Sequence, residues 1–211
     1  MTAPQTPPFS DPAGTWNRRF DQADYLFGIE PNAWLRAQAH HWTPGQLILS
    51  VADGEGRNSV WLARQGLRVD TFDIADVGVA KARRLAADQG VTVNYTVADC
   101  DAFAWPLATY DGVAAIFIQF ADPALRARLF ARMVASLKPG GVLVLQGYTP
   151  QQLVYRTGGP PVASHLYTEP MLREAFAEMD LLTLREYEAE VREGTGHSGR
   201  SALIGLVARR R

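Results

Sequence analysis

The stretch Leu47-Ile48-Leu49-Ser50-Val51-Ala52-Asp53-Gly54-Glu55-Gly56-Arg57-Asn58 runs from apolar residues into a glycine turn and then into a helical pattern. That order predicts a strand, a tight loop and a helix. Gly54 and Gly56 lack a Cβ, so the backbone can turn sharply there and come close to a ligand. The helix that follows offers unpaired N–H groups at its start. Alone this is a nucleotide-type pocket of a kind many proteins share, and the order of features after it narrows the choice.

Val60 to Ala63 continue the first helix to Gly66, and Leu67 to Asp73 forms a second strand that ends on an acid. Asp76 can cap a helix running to Gly90. Val91 to Val97 is a β-branched third strand, closed by Asp99. Tyr110 to Phe117 is nearly all apolar, as expected of a strand buried on both faces. A helix over 122–137 follows, with Leu125, Leu129, Met133 and Leu137 at a repeat of four, and Lys138-Pro139-Gly140-Gly141 launches a strand over 142–147. Strand and helix alternate five times, which argues for an open, mostly parallel sheet with right-handed crossovers. The last third differs. A glycine and proline loop over 149–161 leads to a helix over 169–178, then to strands over 181–191 and 201–209. Only 192–200 separates these, so they pair antiparallel.

Ahead of the glycine loop, Pro4, Pro7, Pro8 and Pro12 mark residues 1–14 as a mobile tail. Trp16 and Phe20 share one side of a helix that Gly28 closes, and Pro31 opens a second helix with Trp34 and Leu35 facing inward. The expectation is one domain over 15–211 with an N-terminal helical cover. The 211 residues, 47% hydrophobic, suffice for its core, and a net charge of -1 gives no basic footprint for nucleic acid. No targeting signal or run of eighteen apolar residues is present, which predicts a soluble cytoplasmic protein without membrane contact, a monomer by expectation. Cys100 is the only cysteine, so no disulfide framework or thiolate-rich metal site is expected. His40, His41 and His165 lack spaced acidic or histidine partners and are weak candidates for catalysis.

In a doubly wound sheet, ligands lie beyond the carboxyl ends of the strands at the switch point, where the glycine loop and the end of strand two meet. Asp73 there can accept hydrogen bonds from two ribose hydroxyls, and Asp99 can accept one from an adenine amino group. Either acid can instead serve as a solvated cap or turn former. A nicotinamide-dependent oxidoreductase is disfavoured, because Gly54-x-Gly56 is followed by Arg57, Asn58 and Ser59 with no third glycine.

Over residues 16 to 209 the arrangement resembles the class I S-adenosylmethionine-dependent methyltransferases. The residues that carry the resemblance are Gly54-Glu55-Gly56-Arg57-Asn58, Phe72-Asp73-Ile74, Ala98-Asp99-Cys100-Asp101 and Leu137-Lys138-Pro139-Gly140-Gly141, with the closing hairpin. It implies a Rossmann-like, three-layer αβα fold: a doubly wound, seven-stranded sheet of order 3-2-1-4-5-7-6, mostly parallel with strand 7 antiparallel. It implies S-adenosyl-L-methionine as cofactor, held by Ala52, Asp53, Gly54, Gly56, Asn58, Asp73, Ile74, Asp99, Cys100, Phe117, Gln119 and Phe120. The chain departs from the family where Ser50 and Ala52 stand in place of the usual acid and glycine, and Asp53 is expected to compensate.

Within the class, the likeness is to the branch of thiopurine and tellurite-resistance methyltransferases. Trp16, Phe20 and Phe27 match the spacing of aromatic residues that reach the cofactor in thiopurine methyltransferases, where ring faces favour a sulfonium cation; packing of the helix on the sheet is the other reading. His197 and Arg200 match a histidine and arginine segment of the tellurite-resistance enzymes, as a base and an anion holder, and Tyr155 and Arg156 are the loop's candidates for substrate contact. The activity implied is in-line methyl transfer to a small molecule such as a thiol, a selenium or tellurium oxyanion, or another soft nucleophile. A cofactor-binding regulatory module without catalysis is the alternative.

Overall fold

The computed structural model describes residues 11–211, so the first ten residues of the expected tail lie outside the described ones. Leu47–Val51 is β1, and its side chains alternate between two apolar clusters: Leu49 and Val51 on one face, Ile48 on the other. The same alternation recurs in β4, Tyr110–Ile116, and β5, Leu137–Tyr148. These strands are buried on both sides, hence their near-continuous apolar runs. With β2 (Arg68–Asp73), β3 (Asn94–Val97), β6 (Met179–Glu193) and β7 (His197–Arg210) they form a seven-stranded sheet of order β3-β2-β1-β4-β5-β7-β6. All pairings are parallel except those of β7 with β5 and β6.

Helices α1 (Pro12–Phe20), α2 (Ala33–Gln38), α3 (Arg57–Arg64), α4 (Asp76–Asp88), α5 (Pro123–Ser136), α6 (Gln152–Tyr155) and α7 (Glu169–Ala175), with 3-10 turns at Ala39–His41 and Ala163–His165, complete the described elements. Trp34, Leu35 and Leu62 from α2 and α3 pack on one face, and Leu129, Phe130, Met133 and Leu172 from α5 and α7 on the other. The order reverses between β1 and β4, so the loops leaving them diverge and open a crevice.

Several boundaries differ from the sequence reading, among them that β5 begins at Leu137, inside the expected helix over 122–137. Helix α1 starts at Pro12, because Asp11 Oδ1 accepts the Gly14 amide at 3.0 Å and proline suits a first turn. Strand β3 begins only at Asn94. The β6–β7 ladder extends to Glu193 opposite His197, leaving a three-residue turn instead of nine.

The segment after α1 is pinned by Lys81 of α4. Its Nζ donates to the carbonyls of Phe20 (3.2 Å), Gln22 (3.0 Å) and Asp24 (2.6 Å) and pairs with Glu55, both side chains only 3% exposed. Glu55 also accepts the Leu26 amide at 2.7 Å. Removing one partner of such a pair strands a buried charge, at a cost of about 3–5 kcal/mol. Lys81→Met is therefore expected to lower unfolding free energy by about that amount in urea titration, and adding Glu55→Gln to recover part of it. A second test concerns Ala52, which leaves β1 with φ +49°. A left-handed conformation costs a non-glycine residue about 1–2 kcal/mol, against about 0.5–1 for glycine's extra chain entropy. Ala52→Gly should raise stability slightly.

Candidate active site

Past the carboxyl ends of β1, β2, β3 and β4 lies a cavity of about 660 Å³. Its floor comes from the strand-end loops: Ala52, Asp53 and Gly54 after β1, Asp73 and Ile74 at the end of β2, Asp99 and Cys100 after β3, and Phe117 and Phe120 after β4. The covering segment contributes Trp16, Phe20 and Phe27, packed together with ring centroids 5.4 to 6.4 Å apart. The Lys81 pairing described above holds these rings over the crevice.

Two glycines make the floor possible. Gly54 has φ +62°, and its amide donates to Asp73 Oδ2 at 2.8 Å. Gly56 has φ +92°, and a Cβ there would lie 2.7 Å from the Ala82 Cβ, so only glycine lets α3 approach α4. Asp73 Oδ1 accepts the Ala75 amide at 2.9 Å, so each oxygen keeps a lone pair for a ligand. Burial, only partly offset by these amides, pushes the Asp73 carboxyl up to about 6. Asp99 Oδ1 is occupied by the Asp101 and Ala102 amides at 2.8 and 2.7 Å, which leaves Oδ2. Cys100 is a neutral thiol, its pKa pushed up to about 12 chiefly by burial.

Ser50 Oγ donates to Asp53 Oδ1 at 2.7 Å. Asp53 Oδ2 is enclosed. Burial raises this carboxyl to about 6, against hydrogen bonds from the Ser50 hydroxyl and from the Ser59 hydroxyl and amide. Serine at position 50 thus orients the neighbouring acid by one oxygen.

The opposite wall is a second polar cluster. His197 Nδ1 lies 3.3 Å from Glu193 Oε2, which also takes Arg57 Nη2 at 2.8 Å. Asn32 Nδ2 donates to Glu193 Oε1 at 2.9 Å and to Gln146 Oε1 at 2.6 Å, while Asn32 Oδ1 caps α2 through the Leu35 amide. Despite burial, which works the other way, the His197 hydrogen bond and the Arg57 charge hold Glu193 down to about 2. Burial holds His197 below its ordinary value, with Arg57 and Arg19 adding to it and Glu193 opposing. At neutral pH the ring is therefore uncharged. With Nδ1–H turned to the carboxylate, Nε2 is a free acceptor at the cavity wall. Phe27 and Phe117 flank the ring at 4.5 and 4.7 Å.

Of the residues singled out from sequence, the cavity gathers Trp16, Phe27, Ala52, Asp53, Gly54, Asn58, Asp73, Ile74, Asp99, Cys100, Phe117, Phe120 and His197. Gly56 acts behind the wall through packing. Gln119 does not line the cavity: 1% exposed, it donates to the Tyr148 and His165 carbonyls and accepts the Tyr148 amide. Tyr155, Arg156 and Arg200 also fall outside it. Tyr155 Oη and Arg200 Nε both bond Glu188, at 2.5 and 2.9 Å, on an exposed patch, and Arg156 caps α6 at φ +56°. Sequence reasoning missed Glu193 and Arg57. Glu193 lay in the expected turn, and Arg57 stood in the glycine motif that carries the resemblance without a role of its own. His165 also lines the cavity, its Nδ1 2.9 Å from the Gln119 carbonyl. Among the described residues no group of three or more histidine, cysteine or acidic side chains could hold a metal ion, and no helix is long and apolar enough to cross a membrane.

Residues 48–141 match the family model for a methyltransferase domain. Ubiquinone biosynthesis O-methyltransferase from Methylocella silvestris is 32% identical over 100 residues, a match covering 47% of this chain and 38% of that protein. The chain thus meets less than two fifths of the length of this curated relative. In fold the chain is similar to TehB from Haemophilus influenzae, with TM-score 0.68 at 17% identity over 84% of this chain and 61% of that one. It is also similar to a SAM-dependent methyltransferase from Methanosarcina mazei, with TM-score 0.69 at 18% identity over 86% of this chain and 99% of that one. Residues 48–141, under half of the chain, thus resemble a methyltransferase domain, and they lie in a seven-stranded sheet of order β3-β2-β1-β4-β5-β7-β6.

Proposed function

We propose that this chain binds S-adenosylmethionine and transfers its methyl group to a small acceptor that must lose a proton, with His197 as general base. The observation that carries the second half is the Glu193–His197 pair at the cavity wall, a neutral imidazole oriented by a carboxylate. The name of the curated relative, an O-methyltransferase, supports an oxygen acceptor. A thiolate or a selenium or tellurium oxyanion arrives ionised and gives such a pair nothing to do, so the finer choice within the class turns from soft nucleophiles to a hydroxyl.

The residues present suit this cofactor. A cavity of about 660 Å³ lies within the usual span of small-molecule sites. Asp73 has one lone pair per oxygen for the ribose hydroxyls, and the enclosed Asp53 carboxyl suits the ammonium that the family's usual acid would meet. The Trp16, Phe20 and Phe27 ring faces favour a cation, each by roughly 0.5–2 kcal/mol depending on desolvation. When bound, S-adenosylmethionine supplies a methyl group activated by positively charged sulfur. Phe27 and Phe117 keep water from the reacting end, and His197 Nε2 accepts the proton the acceptor gives up. Glu193 keeps that nitrogen facing the acceptor and stabilises the imidazolium.

The test is formation of S-adenosylhomocysteine with a panel of phenols and catechols, thiols, amines, selenite and tellurite. Turnover confined to thiols or oxyanions would count against the base, and binding without any turnover would favour a cofactor-binding module. His197→Gln should cut kcat for a hydroxyl acceptor by about 10²- to 10⁴-fold with cofactor affinity unchanged.

The raised acids give a pH signature. Asp53 and Asp73 hold their protons to about pH 6 in the fold but only to 3.8 when unfolded. Their contribution to stability is therefore full below about pH 4 and falls as pH rises through 6. A ligand bringing an ammonium and hydroxyl donors favours the ionised forms. Calorimetry should show cofactor affinity at least about tenfold weaker at pH 5 than at pH 7.5, with a shallower dependence in Asp53→Asn.

A further inference from the structure

We propose that Asn32 is the positioning residue of the general base: acting through Glu193, it decides which nitrogen of His197 faces the methyl acceptor. This deepens the reading above and rests on it. Asn32 is buried at the N-cap of α2 and does not line the cavity. The Leu35 main-chain N–H can only donate, so the Asn32 atom 3.0 Å from it is the oxygen, Oδ1. The amide nitrogen is thereby turned the other way, and its two hydrogens go to Glu193 Oε1 at 2.9 Å and Gln146 Oε1 at 2.6 Å. Gln146 in turn donates through Nε2 to Tyr187 Oη, which keeps its own oxygen toward Asn32. One fixed donor in a helix cap thus sets the orientation of both amides.

The consequence reaches the ring. Glu193 Oε1 meets the Asn32 donor and Oε2 meets Arg57 Nη2 at 2.8 Å, so neither oxygen has a side on which to carry a proton. His197 Nδ1, 3.3 Å from Oε2, must then be the nitrogen that bears hydrogen, and Nε2 keeps its lone pair. Arg57 cannot impose this alone. It lies on the same oxygen as His197, and among the described residues only Asn32 donates to Oε1. With that donor gone, a buried oxygen would be unmatched, and the carboxyl could turn or take up a proton to satisfy it. The imidazole would then be released to hold its hydrogen on either nitrogen. Around the ring stand Glu193 of β6, Arg57 of α3 and Arg19 of α1, with the Tyr148 ring of β5 edge-on at 5.6 Å.

Asn32→Ser tests the role, because serine caps a helix as well as asparagine does but has no amide hydrogens to give Glu193. Ring-nitrogen NMR of the unliganded protein reads the tautomer, with the His197 signals identified by their loss in His197→Gln. The wild type should show the Nδ1–H form, and Asn32→Ser a mixture of the two. For a phenol or catechol that the wild type methylates, kcat should fall about tenfold, as for one hydrogen bond lost from a charged group, with S-adenosylhomocysteine affinity within about twofold. The base works only when neutral, and a carboxylate that has lost a donor holds the imidazolium more strongly, so the acid limb of kcat/KM should move to higher pH. Ala37→Gly, which loosens α2 without touching Glu193, should lower Tm but leave the tautomer and the acid limb as they are. A wild-type tautomer and acid limb in Asn32→Ser, or the same changes in Ala37→Gly, would overturn the assignment. Unchanged kcat in His197→Gln would instead sink the general-base reading, and this role with it.

Discussion

One buried carboxylate joins the two ends of this molecule. Glu193 closes β6, yet its partners are Arg57 on the glycine loop, Asn32 at the cap of α2 and His197 at the start of β7. Arg57 and Glu193 are 136 residues apart in sequence and 2.8 Å apart in space. Burying such a pair is favourable only when geometry and extra hydrogen bonds make up for lost hydration. Here three donors meet the two oxygens, and the acid stays ionised well into acid conditions. The hairpin, the helical cover and the glycine loop thereby share one point of register, and the wall of the cavity is set by it.

The architecture was legible in the chain because it follows from repetition. Strand-length runs, several ending on an acid or a glycine turn, alternate with helical spacing, and only the final pair is too close for a crossover. The strand-end acids Asp73 and Asp99 could be placed for the same reason. What could not be read were contacts set by an unknown register. His197 and Arg200 look like neighbours in a glycine-rich turn, but the ladder runs through both. An offset of three along a strand points side chains to opposite faces, so His197 goes inward and Arg200 outward to Glu188. Gln119 follows β4 as a ligand-contacting residue would, but its amide is needed by main-chain groups of Tyr148 and His165.

Two non-glycine residues at the floor have left-handed backbones: Ala52 at φ +49° and Phe117 at φ +55°. Such conformations persist where surrounding packing enforces them, and they concentrate at ligand sites. Phe117 is clamped between Tyr148, stacked at 4.6 Å, and His197. The turn sends its ring toward the histidine instead of along β4. Ala52 bends the chain so that Asp53 comes within reach of Ser50, and the residues at positions 50, 52 and 53 are thus parts of one local arrangement.

The pinning of the cover by Lys81 has a consequence for how this protein can vary. The ammonium grips main-chain oxygens of residues 20, 22 and 24, and Glu55 grips a main-chain amide at 26. None of those contacts reads a side chain of the gripped segment. Substitution at positions 21 to 24 can therefore drift without loosening the roof, while the aromatic residues on either side remain free to be selected for what they enclose. A lineage could retailor the mouth of the pocket and leave the fastening as it is.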